Sequence, residues 1–178
     1  MSGIYFHIPF CVHRCAYCDF NTYAGQDDSI PAYVKALIEE IHFIGTQANG
    51  INVHTIFFGG GTPSLLSAPQ FDSILKALYA AFNITADAEV STEANPGTIS
   101  PEKLNTIRAA GINRISFGVQ SANTEELRML ERVHDFFTVI EAVSTARKAG
   151  FDNLNLDLIY GLPEQSMQTW QTTLKRVM

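Results

Sequence analysis

The sequence predicts an α/β fold built around a parallel sheet. Five short apolar segments with the character of strands alternate with longer segments in which apolar residues recur at helical spacing. Most of the predicted strands end at glycine, proline or polar residues, and a strand with its helix occupies about 30 residues, the usual length of a βαβ repeat. This alternation favours right-handed crossovers in either an open doubly wound sheet or part of a βα barrel.

The first unit is a strand, a loop and a helix. Residues 4–8 are apolar or aromatic apart from one histidine, and Pro9 stops the strand. A loop that contains the cysteines is expected to run to about Asp28. The helix predicted over residues 31–47 is indicated by apolar side chains at helical spacing, namely Tyr33, Leu37, Ile41 and Ile44.

The second unit begins with a short apolar strand at residues 55–58, which runs into Gly59-Gly60-Gly61. Ser67 is predicted to be the N-cap of the following helix, because Gln70 stands three residues later in the pattern of a capping box. The apolar positions of that helix are Phe71, Ile74, Leu75, Leu78 and Phe82. The aromatic residues expected in the core are Phe57, Phe58, Phe71 and Phe82.

The third unit pairs a strand at residues 89–93 with a helix that has signals at both ends. Asn95-Pro96-Gly97 ends the strand. Ser100 is a preferred N-cap and Pro101 a preferred first helical residue, while Gly111 is placed to close the helix at its C′ position.

The fourth unit begins with a strand at residues 114–119. A short helix follows, capped by Asn123 with Glu126, and a longer helix over residues 135–149 ends at Gly150. These helix ends are therefore predicted from the preferences of particular residue types for capping positions.

The fifth strand is predicted at residues 154–159, and a last helix begins near Glu164. Because the sequence stops inside this helix and contains no linker or low-complexity segment, residues 1–178 are expected to be a single domain truncated at its C-terminal end. The fifth strand would then lie at an edge of the sheet. Its apolar residues that would lack a neighbour are Leu154, Leu156, Leu158 and Ile159.

Length and composition exclude several classes of protein. With 178 residues, of which 46% are hydrophobic and 17% charged, the chain can bury a core and does not have the composition of a disordered segment. No apolar run reaches the roughly 18 residues needed to span a bilayer, so no transmembrane segment is expected. A net charge of -6 argues against a nucleic-acid partner.

The three cysteines form the pattern CxxxCxxC at Cys11, Cys15 and Cys18. An odd number of clustered cysteines differs from the disulfide framework of secreted proteins, and indicates a metal or cluster site in a reducing compartment, hence the cytoplasm. Three thiolates on one short loop can hold three irons of a cubane cluster and leave the fourth open to an exogenous ligand. The alternatives are a structural zinc site with His7 or His13 as fourth ligand, or three inert buried thiols.

Unusual residues mark the carboxyl ends of the predicted strands, where parallel α/β proteins bind their ligands. The cysteines follow the first strand and the glycines follow the second, while Glu93, Gln120 and Asp157 stand at or near the ends of the other three. One such residue alone would most simply make a capping hydrogen bond. Several on one rim predict a binding site. The glycine segment is not a P-loop, since no Lys-Ser or Lys-Thr follows it at the required spacing.

Specific sequence motifs accompany these patterns. CxxxCxxC after the first strand and GGGTP after the second resemble the radical S-adenosylmethionine (radical SAM) superfamily. Five longer segments resemble, within it, the oxygen-independent coproporphyrinogen III oxidase group, which includes a haem chaperone branch. These segments are YFHIPFC at 5–11, FGGGTPS at 58–64, EANP at 93–96, SFGVQS at 116–121 and DLIYGLP at 157–163.

The resemblance implies a partial (β/α)6 barrel, of which this chain supplies five βα units and lacks the sixth strand. It implies a [4Fe-4S] cluster with Cys11, Cys15 and Cys18 as ligands, and S-adenosylmethionine beside it. The residues that it assigns to S-adenosylmethionine are Tyr5, Tyr17, Gly60, Gly61, Thr62, Glu93, Gln120, Arg132 and Asp157. The implied chemistry is one-electron reduction of the sulfonium by the cluster, which yields a 5′-deoxyadenosyl radical.

One position distinguishes the two branches of this group. The oxidases typically carry a further cysteine two residues after the third, and here that position is Phe20. The resemblance is therefore to the haem chaperone branch, which implies a carrier that binds haem and delivers it to haem-accepting proteins, with a flavodoxin- or ferredoxin-like reductant for its cluster. The alternatives are an enzyme, oxygen-independent coproporphyrinogen III oxidase (dehydrogenase) in porphyrin biosynthesis, and an iron–sulfur electron carrier, which would want four protein cysteines.

Overall fold

The computed structural model describes residues 2–48 and 50–178. The strands of this part of the chain are β1 (Ser2–Ile8), β2 (Phe10–Cys11), β3 (Tyr23–Ala24), β4 (Asn52–Gly60), β5 (Asn83–Ala94), β6 (Arg114–Gln120) and β7 (Asn153–Leu158). Its α-helices are α1 (Ile30–Gln47), α2 (Ala68–Ala81), α3 (Pro101–Ala109), α4 (Thr124–Met129), α5 (Phe136–Lys148) and α6 (Met167–Val177). None of the helices described is both long and apolar enough to cross a membrane.

Five of the strands form one parallel sheet in the order β1-β4-β5-β6-β7, while β2 and β3 pair with each other. Each strand of the large sheet lies beside its predecessor in the chain. A doubly wound sheet has a point at which this order reverses, and the present sheet has none. The predicted α/β class is therefore confirmed. Of the two predicted architectures, the partial βα barrel, here with five strands, is the one that the sheet order matches.

Several helix ends occur where the sequence places them. The capping box that begins with Ser67 is present in α2, and the side chains of Ser100, Asn123 and Asp135 accept backbone hydrogen bonds in the first turns of α3, α4 and α5. Gly111 follows α3 with a φ of 116°, a conformation that favours glycine. These signals are local, since each links residues within one turn of helix.

The lengths of some elements differ from the prediction. β5 begins at Asn83, well before the predicted strand, because its first residues pair with the start of β4. The segments Phe10–Cys11 and Tyr23–Ala24 were expected in a loop and instead pair as β2 and β3. The last helix begins at Met167, slightly later than predicted, because the Ser166 hydroxyl caps it.

The core lies between the sheet and its helices. Phe58 and Phe71 are fully buried and pack edge to face with their ring centroids 5.3 Å apart. Phe57 and Phe82 were also expected in the core but are half-buried. For Phe57 the reason is strand geometry, because adjacent residues of a strand point to opposite faces and Phe58 occupies the core face.

β7 lies at an edge of the sheet, as predicted, and among the described strands it pairs with β6 alone. The apolar residues Leu154, Leu156 and Leu158 are all half-buried. By contrast, Phe117 and Val119 of the interior strand β6 are fully buried. Position in the sheet, rather than residue type, therefore sets the burial of these side chains.

Candidate functional site

The three cysteines lie on the segment that leaves the carboxyl end of β1. Cys11 belongs to β2 and is buried, while Cys15 and Cys18 are half-buried on the turn that follows. The N–H of Cys18 donates to the carbonyl of Cys15 over 3.0 Å and closes this turn. The N–H of Tyr23 donates to the carbonyl of Pro9 over 2.7 Å, so the two ends of the cysteine segment lie side by side.

The Cys11 thiol lies against the glycine-rich turn after β4. The Thr62 hydroxyl donates to Cys11 Sγ over 3.7 Å. The N–H groups of Gly61 and Thr62 donate to the carbonyls of Ile8, over 2.8 Å, and Phe10, over 2.7 Å. A Cβ added at Gly61 would lie 2.6 Å from the Phe10 carbonyl oxygen and 3.0 Å from Cys11 Sγ. Glycine therefore allows the turn to approach the cysteine segment closely.

The ionisation of Cys11 responds to its neighbours. The pKa of its thiol is raised overall, chiefly by burial. Hydrogen bonds from the hydroxyls of Thr62 and Thr22 lower it, and the thiolate charges of Cys18 and Cys15 raise it further. The Thr22 hydroxyl also lies 4.0 Å from Cys18 Sγ. The backbone hydrogen bond from Cys18 to Cys15 and the approach of Thr22 to Cys18 Sγ keep these residues on one short loop.

The donor set of the cysteine loop is three free thiols, the ligand type that iron–sulfur clusters take. Within residues 2–48 and 50–178, no group of three Cys, His, Asp or Glu side chains is arranged to hold a single metal ion. His7 and His13, the candidate fourth zinc ligands, instead bond to the Asn21 carbonyl over 2.8 Å and to the Glu131 carboxylate over 3.1 Å.

Glu93 and Gly60 join the carboxyl ends of β5 and β4. The Gly60 N–H donates to Glu93 Oε2 over 3.2 Å. Gly60 has a φ of 112°, and a Cβ there would lie 2.7 Å from the His7 ring. The pKa of Glu93 is raised overall. Burial is the largest cause and the Asp157 charge adds to it, while the Gly60 hydrogen bond and His7 act in the opposite direction. Asp157 on β7 therefore acts on Glu93 from two strands away.

Asp157 is held by polar side chains of β6 and β7. The Ser116 hydroxyl donates to Asp157 Oδ2 over 2.6 Å, and the Asn155 amide donates to Oδ1 over 2.6 Å. Gln120 ends β6 with a φ of 68°, which is uncommon for a residue other than glycine. The parallel register thus places Glu93, Gln120 and Asp157 at one edge of the sheet, as the sequence led us to expect.

Arg132 connects the cysteine loop to the ends of β5 and β6. Its guanidinium donates to Cys15 Sγ over 3.5 Å, to Asn95 Oδ1 over 2.5 Å and to the Gly118 carbonyl over 2.8 Å. Its Nε is buried and has no partner among the described residues. Nearby, burial raises the pKa of Tyr17 to about 12, against the opposing effect of the Arg132 charge.

Tyr5 lies on the Glu93 side of the site. Its hydroxyl is 3.3 Å from His7 Nδ1, and its ring stacks on Phe57 with the centroids 6.1 Å apart. Burial raises the pKa of Tyr5, and the Glu93 charge adds to this effect. Its side chain is nevertheless 57% exposed, so it presents an aromatic surface at the rim.

Sequence reasoning did not select three residues that take part in this arrangement. Asn95 lies against Arg132 and donates from Nδ2 to the Thr62 hydroxyl over 3.1 Å. Ser116 and Asn155 hold the Asp157 carboxylate. The sequence could have indicated Ser116 and Asn155, because each is a polar residue within a predicted parallel strand. A polar side chain in a strand that is covered on both faces needs a hydrogen-bond partner.

Comparison with known proteins gives the chain its family. The model of the Radical SAM superfamily matches residues 5–177. The chain is 43% identical over 168 residues to Heme chaperone HemW of Escherichia coli, a match that covers 93% of this chain and 44% of the relative. It is 39% identical over 176 residues to Oxygen-independent coproporphyrinogen III oxidase of Escherichia coli, covering 98% of this chain and 38% of the relative. The chain thus spans less than half the length of these relatives.

Solved structures agree with this assignment. Coproporphyrinogen III oxidase (HemN) from Escherichia coli matches with a TM-score of 0.90 and 39% identity, over 98% of this chain and 41% of that one. Methylornithine synthase matches with a TM-score of 0.66 at 14% identity, over 98% of this chain and 49% of that one, which shows the fold alone. The chain belongs to the radical SAM superfamily, in the group that contains the HemW haem chaperones and oxygen-independent coproporphyrinogen III oxidase.

Proposed function

We propose that the chain is the radical SAM core of a HemW-like haem chaperone, which binds a [4Fe-4S] cluster and S-adenosylmethionine and delivers haem to acceptor proteins. The observation that carries the proposal is the cysteine loop. Thr62 and Arg132 donate to Cys11 and Cys15, the Cys18 N–H donates to the Cys15 carbonyl, and Phe20 stands where the oxidases typically have a further cysteine. The similarity to relatives named Heme chaperone HemW supports the same function.

In this proposal the thiolates of Cys11, Cys15 and Cys18 hold the cluster. The chemistry that the cluster supplies when bound is one-electron reduction of the sulfonium of S-adenosylmethionine. The protein holds the ligands in place: Thr62 and Arg132 donate hydrogen bonds to Cys11 and Cys15 over 3.7 and 3.5 Å. Gly61 lies directly against Cys11, which leaves no space between the glycine turn and this cysteine.

S-adenosylmethionine would bind at the edge of the sheet beside the loop. The Glu93 carboxylate suits the methionine ammonium, and the glycine turn lets backbone approach it. Arg132, whose Nε is buried without a protein partner among the described residues, suits the methionine carboxylate. The full set of proposed contacts is Tyr5, Tyr17, Gly60, Gly61, Thr62, Glu93, Gln120, Arg132 and Asp157.

The proposed partners are haem, haem-accepting proteins and a flavodoxin- or ferredoxin-like reductant. A radical SAM cluster must receive an electron from outside the protein, which requires such a reductant. The clustered free thiols are typical of a reducing compartment and support a cytoplasmic location.

The second candidate is an oxygen-independent coproporphyrinogen III oxidase. The observation in its favour is the TM-score of 0.90 with the solved enzyme of that name, at 39% identity. The two candidates differ in what the protein does with a porphyrin, since a carrier binds and releases haem whereas the oxidase decarboxylates its substrate.

One experiment separates the candidates. The protein, at its natural length and reconstituted anaerobically with iron and sulfide, is given haem in one assay and coproporphyrinogen III with S-adenosylmethionine and dithionite in another. We expect stoichiometric haem binding, transfer to an apo-haem protein, and no decarboxylation. A Cys15→Ser variant tests whether the cluster is needed for transfer. Decarboxylation without haem binding would establish the oxidase instead.

A further inference from the structure

A chain of hydrogen bonds runs from Cys11 to Cys15 through three other side chains. Thr62 Oγ1 donates to Cys11 Sγ over 3.7 Å, and Asn95 Nδ2 donates to Thr62 Oγ1 over 3.1 Å. Arg132 donates to Asn95 Oδ1 over 2.5 Å and to Cys15 Sγ over 3.5 Å. The three connecting residues follow β4, β5 and α4 respectively, so the chain joins separate parts of the fold at one point, Asn95.

The direction of each bond follows from the chemistry of Arg132. A guanidinium has donors and no acceptor, so the Asn95 atom that faces it must be the amide oxygen. The amide nitrogen of Asn95 then faces Thr62, and the Thr62 oxygen must accept from it. The single hydroxyl hydrogen of Thr62 is thereby left for the Cys11 sulfur.

The surroundings hold the Asn95–Arg132 pair in place. The Asn95 carbonyl accepts from the Thr98 N–H over 3.0 Å and from the Thr98 hydroxyl over 2.9 Å. A Cβ added at Gly118 would lie 3.4 Å from Asn95 Oδ1, 3.5 Å from Arg132 Nη2 and 3.0 Å from Gln120 Nε2. The pair therefore lies directly against Gly118, where a Cβ would make ordinary contacts with Asn95 and Arg132 and a tight one with Gln120.

We infer that Asn95 is a positioning residue that directs one hydrogen bond onto each of two cluster sulfurs, those of Cys11 and Cys15, and so raises the reduction potential of the cluster. The inference rests on the proposed function, because it requires a cluster at these cysteines. Hydrogen bonds to the sulfurs are one of the determinants of iron–sulfur potentials. Hydrogen-bond donors stabilise the reduced cluster more than the oxidised one, because the reduced cluster carries one more negative charge.

The test measures the midpoint potential of the reconstituted cluster, without S-adenosylmethionine, by titration with dithionite and redox mediators followed by EPR. Thr62→Val removes the donor to Cys11. Asn95→Asp keeps an acceptor for Arg132 but has no N–H for Thr62, so the Thr62 hydroxyl turns to the carboxylate. We expect reduction to become about tenfold less favourable in each variant, which is about 59 mV for a one-electron couple.

Three controls isolate the hydrogen bond. Thr62→Ser keeps the hydroxyl and should keep the wild-type potential. Asn21→Asp adds the same charge to the exposed cysteine loop and should shift the potential much less than Asn95→Asp. In the double variant Thr62→Val with Asn95→Asp, the total shift should be smaller than the sum of the two single shifts, because both variants remove the same bond to Cys11 and only the added carboxylate charge still acts.

The outcomes are distinguishable. A wild-type protein that takes up no iron and sulfide would overturn the proposed function, and the inference with it. A loaded Thr62→Val cluster with the wild-type potential would overturn the inference alone, as would additive shifts in the double variant or an equal shift from Asn21→Asp. Should Asn95→Asp fail to fold, Asn95→Ala takes its place, since it removes the partner of both Thr62 and Arg132; a loaded Asn95→Ala cluster with the wild-type potential would overturn the inference.

Discussion

The backbone N–H of Gly60 donates to the Glu93 carboxylate over 3.2 Å, which joins the turn after β4 to the end of β5. The cysteine loop leaves the carboxyl end of the neighbouring strand, β1, so it lies at the same edge of the sheet. Glu93 is half-buried, and a carboxylate withdrawn from water is unfavourable unless it accepts hydrogen bonds. The Gly60 amide supplies one such bond, and in the proposed function the ligand ammonium supplies another.

Replacing Glu93 with Gln should separate fold stability from ligand binding. Burial raises the pKa of Glu93 in the folded protein, so its ionised form weakens the fold as pH rises through that pKa. We expect Glu93→Gln to melt at or above the wild-type temperature at pH 7, with the difference vanishing below about pH 4, where the carboxyl is protonated in both states. The same variant should bind S-adenosylmethionine more weakly in calorimetry. A lower melting temperature at pH 7 would contradict this account.

Replacing any one of Cys11, Cys15 and Cys18 with Ser should abolish the visible iron–sulfur absorption after anaerobic reconstitution. Two remaining thiolates cannot hold the cubane that three protein ligands support. Iron and sulfide analysis provides the measurement, and Val12→Ser, at an exposed position of the same loop, provides the control. A full complement of four irons in Cys15→Ser would refute the assignment of the ligands.

Adding one methyl group at Gly61 should disturb the cysteine site. The new Cβ would lie 2.6 Å from the Phe10 carbonyl oxygen and 3.0 Å from Cys11 Sγ. We expect Gly61→Ala to lose on the order of 1–3 kcal/mol of unfolding free energy and to load less iron. Gly97→Ala is the matched control, because its Cβ would meet no atom closer than 3.8 Å. Equal denaturation midpoints for the two variants would show that the turn has more room than the structure indicates.

His134 should make the fold sensitive to acid. Burial, with the Arg132 charge, lowers its pKa to about 4, while its Nε2 bonds to the Val119 carbonyl over 3.2 Å. The unfolded chain takes up a proton here at higher pH than the folded protein does, so stability falls as pH decreases from about 6.5 to 4, by on the order of 2 kcal/mol.

His134→Gln should flatten this part of the pH profile in urea denaturation. The exposed His42 offers a matched control, since His42→Gln makes the same substitution at the surface. An unaltered slope in His134→Gln would mean that other groups cause the acid sensitivity.

The sequence alone was enough to predict the α/β class, the five strands of the sheet and most helix ends. These features depend on residues close together in the chain. Apolar periodicity identifies an element, and a capping residue such as Ser100 or Gly111 acts within one turn of its helix. The edge that carries Glu93, Gln120 and Asp157 was predictable as well, because parallel strands share the direction of their carboxyl ends.

Only the tertiary structure decided which side chains meet at that edge. Asn95 had the appearance of a strand-ending residue, yet it lies against Arg132, 37 positions away in the chain. Arg132 in turn reaches Cys15 across 117 positions. Such contacts depend on the packing of whole elements against one another, which local propensity does not encode, and the early start of β5 and the pairing of β2 with β3 arise in the same way.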